Sequence, residues 1–214
     1  MSLTSRRGRC GCATVLALLL VAVSARAGEP TDQLRAQIDR VVRVLEDPEL
    51  KKANRAKERR AAIRKVANDI FDFGETARRS LARHWTQRTA AEREEFVQLF
   101  ADLLERSYIS RIEAYGGEKI TYVGETIDGD QATVRTKLTT KEGTDIPVDY
   151  RMLRRGDKWL VYDVIIESVS LVANYRAQFN KIILTSSYQE LVKKMRTKQE
   201  ELYGGERPKR TSQR

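Results

Sequence analysis

The apolar positions of this chain follow two rhythms, and the change from one to the other divides it. From Pro30 onward they recur every three or four residues. Leu34, Ile38, Val41, Val42 and Leu45 mark a first helix, stopped at Asp47-Pro48. Ile63, Val66, Ala67 and Ile70 mark a second, with Lys57, Arg59, Arg60, Arg64 and Lys65 on its other sides, and it runs out at Phe73-Gly74. A short helical segment follows through Leu81 to Trp85. The clearest helix start is Thr89-Ala90-Ala91-Glu92, a capping box in which hydroxyl and carboxylate satisfy each other's backbone donors. Behind it Phe96, Leu99, Phe100, Leu103, Leu104, Tyr108 and Ile112 form a broad apolar stripe, ended by Gly116-Gly117.

From Ile120 the period drops to two. Four strand-like runs, Ile120 to Ile127, Gln131 to Thr139, Thr144 to Arg154 and Lys158 to Glu167, are separated by short turns that suit hairpins, so an antiparallel meander is expected. Ala132, Val134, Thr136 and Leu138 share one face of the second run, and Ile146, Val148, Tyr150 and Met152 one face of the third. Arg135, Lys137, Asp145, Asp149 and Arg151 lie opposite. The fourth run is apolar on both faces, which places it centrally with something packed over each side. Helical spacing returns with Leu171, Val172, Tyr175, Phe179, Ile182 and Ile183, then with Leu191, Val192, Met195 and Leu202. The fold class is α+β in one domain, 28–203: helices first, a curved four-stranded antiparallel sheet, then closing helices.

Charge narrows the function. The 214 residues carry 40 Lys and Arg against 30 Asp and Glu, a net +10 that invites a nucleic-acid reading. Residues 1–27, however, have the layout of an export signal: Arg6, Arg7 and Arg9, an apolar run from Ala13 to Val23, and Ala25-Arg26-Ala27 as a cleavage site. The run is too short to span a bilayer, which takes about 20 residues. Cleavage after Ala27 removes Cys10 and Cys12 with four basic residues, leaving a mature chain of 187 residues without cysteine. Residues 204–214 read as a disordered basic tail of +3, so the body retains only about +3, a weak footprint for nucleic acid.

Candidate chemistry is sparse. His84 is the only imidazole, and no nucleophile elbow, phosphate loop, dinucleotide fingerprint or calcium loop accompanies it, so it reads as a packing or hydrogen-bonding residue. Asp163 interrupts the apolar fourth strand, where an unpaired carboxylate is costly, so it either faces a donor such as a backbone N–H or an arginine or marks the polar mouth of a cavity. No catalytic residue, metal site or cofactor is expected. What remains is a large stock of apolar side chains, and a curved sheet flanked by helices can enclose a ligand chamber.

The run Trp159-Leu160-Val161-Tyr162-Asp163-Val164-Ile165-Ile166-Glu167-Ser168-Val169-Ser170-Leu171-Val172-Ala173-Asn174-Tyr175-Arg176-Ala177-Gln178-Phe179 closely resembles the strand-to-helix signature of the MlaC, or toluene-tolerance, family of periplasmic phospholipid carriers. Phe71-Asp72-Phe73, Leu81-Ala82-Arg83-His84-Trp85, the Glu95-Phe96 to Tyr108 helix and Val148-Asp149-Tyr150 match as well, so the resemblance covers roughly residues 32 to 203. Family members usually have Gly in place of Ala82 and often in place of Ser168.

The resemblance implies an NTF2-like fold enclosing a lipid-tail pocket. It also implies a periplasmic shuttle that carries a two-chain phospholipid between an inner-membrane ABC transporter complex and an outer-membrane lipoprotein complex, maintaining outer-membrane lipid asymmetry without catalysis. A hopanoid or other lipid of a related branch, an NTF2-like enzyme using Asp163 and His84, and a purely structural periplasmic adaptor are the competing readings. With inward strand faces assigned by alternation, the expected lining is Phe71, Phe73, Phe96, Phe100, Leu103, Leu104, Val148, Tyr150, Leu160, Tyr162, Val164 and Ile166, with Tyr175 and Phe179 closing it.

Overall fold

A computed structural model of the chain describes residues 30–203. The export signal read over residues 1–27 and the tail over 204–214 lie outside the described residues. Four helices come first: α1 (Pro30–Glu46), α2 (Ala56–Ile70), α3 (Phe73–Leu81) and α4 (Ala90–Glu113), with 3₁₀ turns at Ala53–Arg55 and Ala82–His84. The strands β1 (Lys119–Asp128), β2 (Gln131–Thr139), β3 (Asp145–Arg155), β4 (Lys158–Ile166) and β5 (Val169–Ser170) follow, then α5 (Leu171–Thr185) and α6 (Tyr188–Tyr203).

The Thr89 capping box forms as the sequence suggests. The Thr89 hydroxyl accepts from the Glu92 N–H at 3.2 Å, and the Glu92 carboxylate accepts from the Thr89 N–H at 2.8 Å. Earlier in the chain the boundaries differ from expectation. The second helix stops at Ile70 because Phe71 is extended and bridges Val161, while the Asp72 N–H donates to the Val161 carbonyl at 2.9 Å. Asp72 then caps a new helix, its carboxylate accepting from the Glu75 N–H at 2.8 Å, so α3 starts at Phe73, well before the expected Leu81.

The sheet is an antiparallel meander in the order β1-β2-β3-β4-β5. It has five strands rather than four, because Val169-Ser170 folds back onto Ile165 and Ile166. Consequently β4 is next to a two-residue edge strand, not central. It is nevertheless covered on both faces, as its apolar pattern suggests: Trp159 and Val161 pack with α1 and α2, while Tyr162 meets Thr76 and Arg79 of α3. Two-residue connections close the β1–β2 and β3–β4 hairpins, and each opens on a glycine with positive φ, Gly129 (56°) and Gly156 (64°).

Among the described residues, three other than glycine also have positive φ: Ala82 (48°), Glu167 (48°) and Ser168 (68°). Ala82 has ψ of −121°, a conformation that crowds any Cβ and that glycine alone adopts readily. The strain, roughly 1–3 kcal/mol, exceeds the ~0.5–1 kcal/mol entropic cost of a glycine. Ala82→Gly is therefore expected to stabilise the protein by about 1 kcal/mol, measured by urea denaturation. An unchanged or lowered midpoint would show that the backbone here is not strained.

Candidate functional site

The apolar side chains form two principal bodies. One is built on the inner sheet face: Ala132, Val134, Met152, Trp159 and Val161 pack with Leu34, Val66 and Ile70 from α1 and α2. The other is made by helices alone, with Ala77, Leu81, Phe96, Leu99, Phe100 and Leu104 against Tyr175, Phe179, Tyr188, Leu191, Val192 and Met195. Its centre is an aromatic cluster in which Phe100 meets Tyr175 at 5.0 Å and Phe179 at 5.1 Å, both edge-on. Phe71 of the first body stacks on Phe73 of the second at 5.5 Å, linking the two.

The expected lining residues divide between these bodies. Phe73, Phe96, Phe100, Leu103, Leu104, Tyr175 and Phe179 belong to the helical body, whereas Phe71, Tyr150 and Val164 pack against the sheet body. Leu103, Tyr175 and Phe179 also line a cleft of about 430 Å³ between α4, α5 and α6, with Lys193 and Lys194 among its polar residues. Strict alternation puts Leu160, Tyr162, Val164 and Ile166 on one face, and the structure corrects this. Arg151 pairs with Asp163 and Met152 with Val161, so Tyr162 is the extra residue of a β-bulge and the alternation changes phase there. Val164 and Ile166 thus share the inner face with Trp159 and Val161, while Leu160 and Tyr162 turn to the other side, where the Arg79 guanidinium lies 4.0 Å from the Tyr162 ring centre.

On the inner face, Tyr150 faces Val164 and Val148 faces Ile166 across the β3–β4 pair. Ile146 and Leu138 are partners, and Leu138 in turn pairs with Ile120 on β1. These side chains are half-buried, and Ile166 is 36% exposed, in contrast to Val134 and Val161 at 0%. The inner face is therefore buried at one end and left apolar but only partly covered at the other. Ile120, Leu138 and Ile146 extend the surface beyond the residues named from sequence, and the alternation of β1 to β3 was the signal for them.

Two tyrosines border this surface. Burial pushes the Tyr122 hydroxyl up to about 12, and that oxygen is buried with no hydrogen-bond partner among the described residues. Burial raises the Tyr150 hydroxyl as well. The Arg35 guanidinium sits 4.5 Å from the Tyr122 ring centre.

The polar residues singled out from sequence have structural partners. Asp163, 2% exposed, accepts from the Ser170 hydroxyl (2.7 Å), the Val172 N–H (3.0 Å) and Arg151 (3.4 Å), so it fastens β4 to the start of α5. His84 Nε2 lies 3.0 Å from the Asn180 side-chain oxygen on α5.

Sequence reading missed Glu75, which is 6% exposed and hydrogen-bonded by Arg78 at 2.6 Å and Arg79 at 2.7 Å. The i,i+3 and i,i+4 spacing permits these pairs, but such spacing ordinarily marks a solvated helix face and does not single them out. The Arg78 hydrogen bond, with that of Arg79, outweighs burial and holds the carboxyl at about 2, below its ordinary 4.5. A depressed carboxylate stabilises the fold above its unfolded pKa and loses that contribution as pH falls through the folded value. Between about pH 4.5 and pH 2 the protein is expected to lose on the order of 2–3 kcal/mol at this site. Glu75→Gln should remove that part of the pH dependence in acid denaturation; an unaltered acid profile would contradict the assignment.

Fold and site together define a class: an α+β protein with a curved antiparallel sheet, a packed helical core and a partly covered apolar surface at one end of the sheet. A family model described as MlaC protein matches residues 35–197, and the chain belongs to the MlaC family. The chain is 25% identical over 138 residues to the intermembrane phospholipid transport system binding protein MlaC of Haemophilus influenzae (strain ATCC 51907 / DSM 11121 / KW20 / Rd). That match spans 61% of the chain and 64% of the relative's length. Its fold also resembles a phospholipid-binding protein from Ralstonia solanacearum, solved in complex with a phospholipid, with a TM-score of 0.70 and 22% identity over 81% of this chain and 98% of that one. Among the described residues no helix is long and apolar enough to cross a membrane.

Proposed function

We propose that the chain is a periplasmic phospholipid carrier, exported by the signal at residues 1–27 and matured after Ala27. In this reading it receives a two-chain lipid from one membrane complex and delivers it to another, an inner-membrane ABC transporter and an outer-membrane lipoprotein assembly being the partners. It makes and breaks no bond. The observation that carries the reading is the apolar end of the inner sheet face, half-buried at Ile120, Leu138, Ile146 and Val148 and exposed at Ile166, beside two bodies that bury their own apolar side chains. The family membership and the relatives' names support it.

A two-chain lipid carries about 30 methylenes, each worth on the order of 0.8 kcal/mol on leaving water, so roughly 24 kcal/mol opposes free diffusion. A carrier must offset most of that with an apolar surface, yet not so much that release fails. The tails lie against the inner sheet face, bordered by Tyr122 and Tyr150. The headgroup stays at the solvent end, which predicts weak headgroup selectivity.

Lipid-stripped mature protein incubated with phospholipid vesicles, separated and assayed for phosphorus tests the transfer step. About one phospholipid per chain is expected, with similar uptake from phosphatidylethanolamine and phosphatidylglycerol vesicles. Protein that returns from both without phosphorus would overturn the carrier reading.

A further inference from the structure

The charge of the described chain is unevenly placed. Residues 30–70 hold eleven Lys and Arg against seven Asp and Glu, while residues 71–203 hold 21 of each. The whole positive excess therefore sits on α1, α2 and their connection. Part of it is directed into the molecule: Arg59 and Arg60 share Glu113 of α4 at 2.8 and 3.1 Å, Arg64 reaches Asp102 and Glu105, and Arg40 pairs with Asp69 at 2.9 Å. Arg43, Lys51, Lys57 and Lys65 remain exposed and make no ion pair among the described residues.

Between α1 and α2 on this face lies a cleft of about 400 Å³. Val44, Leu50, Ala62 and Val66 supply its apolar lining and Arg40, Arg43 and Lys65 its cations. Asp47 is the acid in the cleft, and its Oδ1 is engaged in capping, accepting from the Glu49 N–H at 2.8 Å and the Leu50 N–H at 3.2 Å.

We propose that this cleft is the docking site for an acidic segment of a partner protein, which seats one aliphatic side chain between α1 and α2 while flanking carboxylates meet Arg43 and Lys65. The combination favours a protein over a bilayer surface. A layer of headgroups would use the cations but has no reason to meet an apolar recess between them, whereas a protruding Leu or Ile flanked by Asp or Glu uses both. Charge placed around an apolar anchor gives steering and specificity, with affinity set by the anchor. The lipid-bearing sheet face takes no part, so docking and lipid occupancy are separate readouts.

The test is selection of a random dodecapeptide library on purified mature protein, followed by binding measurements on the enriched peptides. The expected result is enrichment of peptides with two or more carboxylates flanking a Leu or Ile. Their affinity should fall at least ~10-fold in Arg43→Glu/Lys65→Glu, and less steeply in the neutral pair Arg43→Gln/Lys65→Gln. Control substitutions Lys193→Glu/Lys194→Glu should leave binding unchanged, and all variants should keep wild-type melting and lipid content. Three outcomes would overturn the proposal: enriched peptides without acidic residues, peptides indifferent to the Arg43 and Lys65 changes, or phosphatidylglycerol vesicles that bind through those residues when no peptide does.

Discussion

Phe100→Ala is expected to lower the stability of the lipid-free protein by about 3–5 kcal/mol, the range for removing a buried aromatic side chain. Phe100 is 1% exposed and meets Phe96, Tyr175 and Phe179 at ring distances of 5.8, 5.0 and 5.1 Å. Its loss forfeits three aromatic pairs, each worth about 0.5–1.5 kcal/mol beyond burial, and leaves a cavity that α3, α4, α5 and α6 cannot all close. The measurement is urea denaturation of stripped protein. If the change were under ~1 kcal/mol, Phe100 would be the wall of an empty chamber and not part of a filled core, and the division between helical core and sheet-side lipid surface would be wrong.

Val148→Arg should do the opposite. Val148 is half-buried on the inner sheet face opposite Ile166, where a long side chain can reach solvent in the empty protein, so folding should change by less than ~1 kcal/mol. With lipid bound, the guanidinium would have to be buried against acyl chains with no partner, at a cost of several kcal/mol. Lipid content after purification should fall at least ~10-fold, the equivalent of 1.4 kcal/mol. Full occupancy in this variant would remove the β3 face from the site. Leu104→Arg, which the sequence suggests as an equivalent test, is not one: Leu104 is 9% exposed within the helical body, and an arginine there is expected to unfold the protein.

The difference between Leu104 and Val148 shows how much of the site could be read without coordinates. The change of period at Ile120 locates the boundary between helices and sheet, and the hairpin turns fix the strand order, because neither depends on distant contacts. A helix stripe such as Phe96 to Tyr108 looks the same whether it faces other helices or a ligand, so its aromatic residues could not be sorted between core and chamber. The β4 lining was misassigned for a different reason. Alternation is a local rule, and a single extra residue at Tyr162 reverses it for every position beyond, while nothing in the composition of the strand marks a bulge. Asp163 was legible because a carboxylate in an apolar strand must find donors, and it finds them in the chain that follows it. The Glu75 cluster was not, since paired charges on a helix usually mean a solvated face; here β4 and the turn before it cover that face, with Arg155 3.7 Å from Glu75 and 2.9 Å from Asp72.

The central claim is that the half-buried apolar end of the inner sheet face holds lipid tails. Its most direct measurement is denaturing extraction of the mature protein after export in its native host, with the extract analysed by lipid mass spectrometry beside the Val148→Arg variant. The account predicts a long-chain diacyl phospholipid at near one per chain in the wild type, mixed in headgroup, and a strong depletion in the variant. A hopanoid in its place would keep the site and change the ligand. A wild-type extract that never contains a long-chain lipid, from protein shown to be folded, would contradict the account.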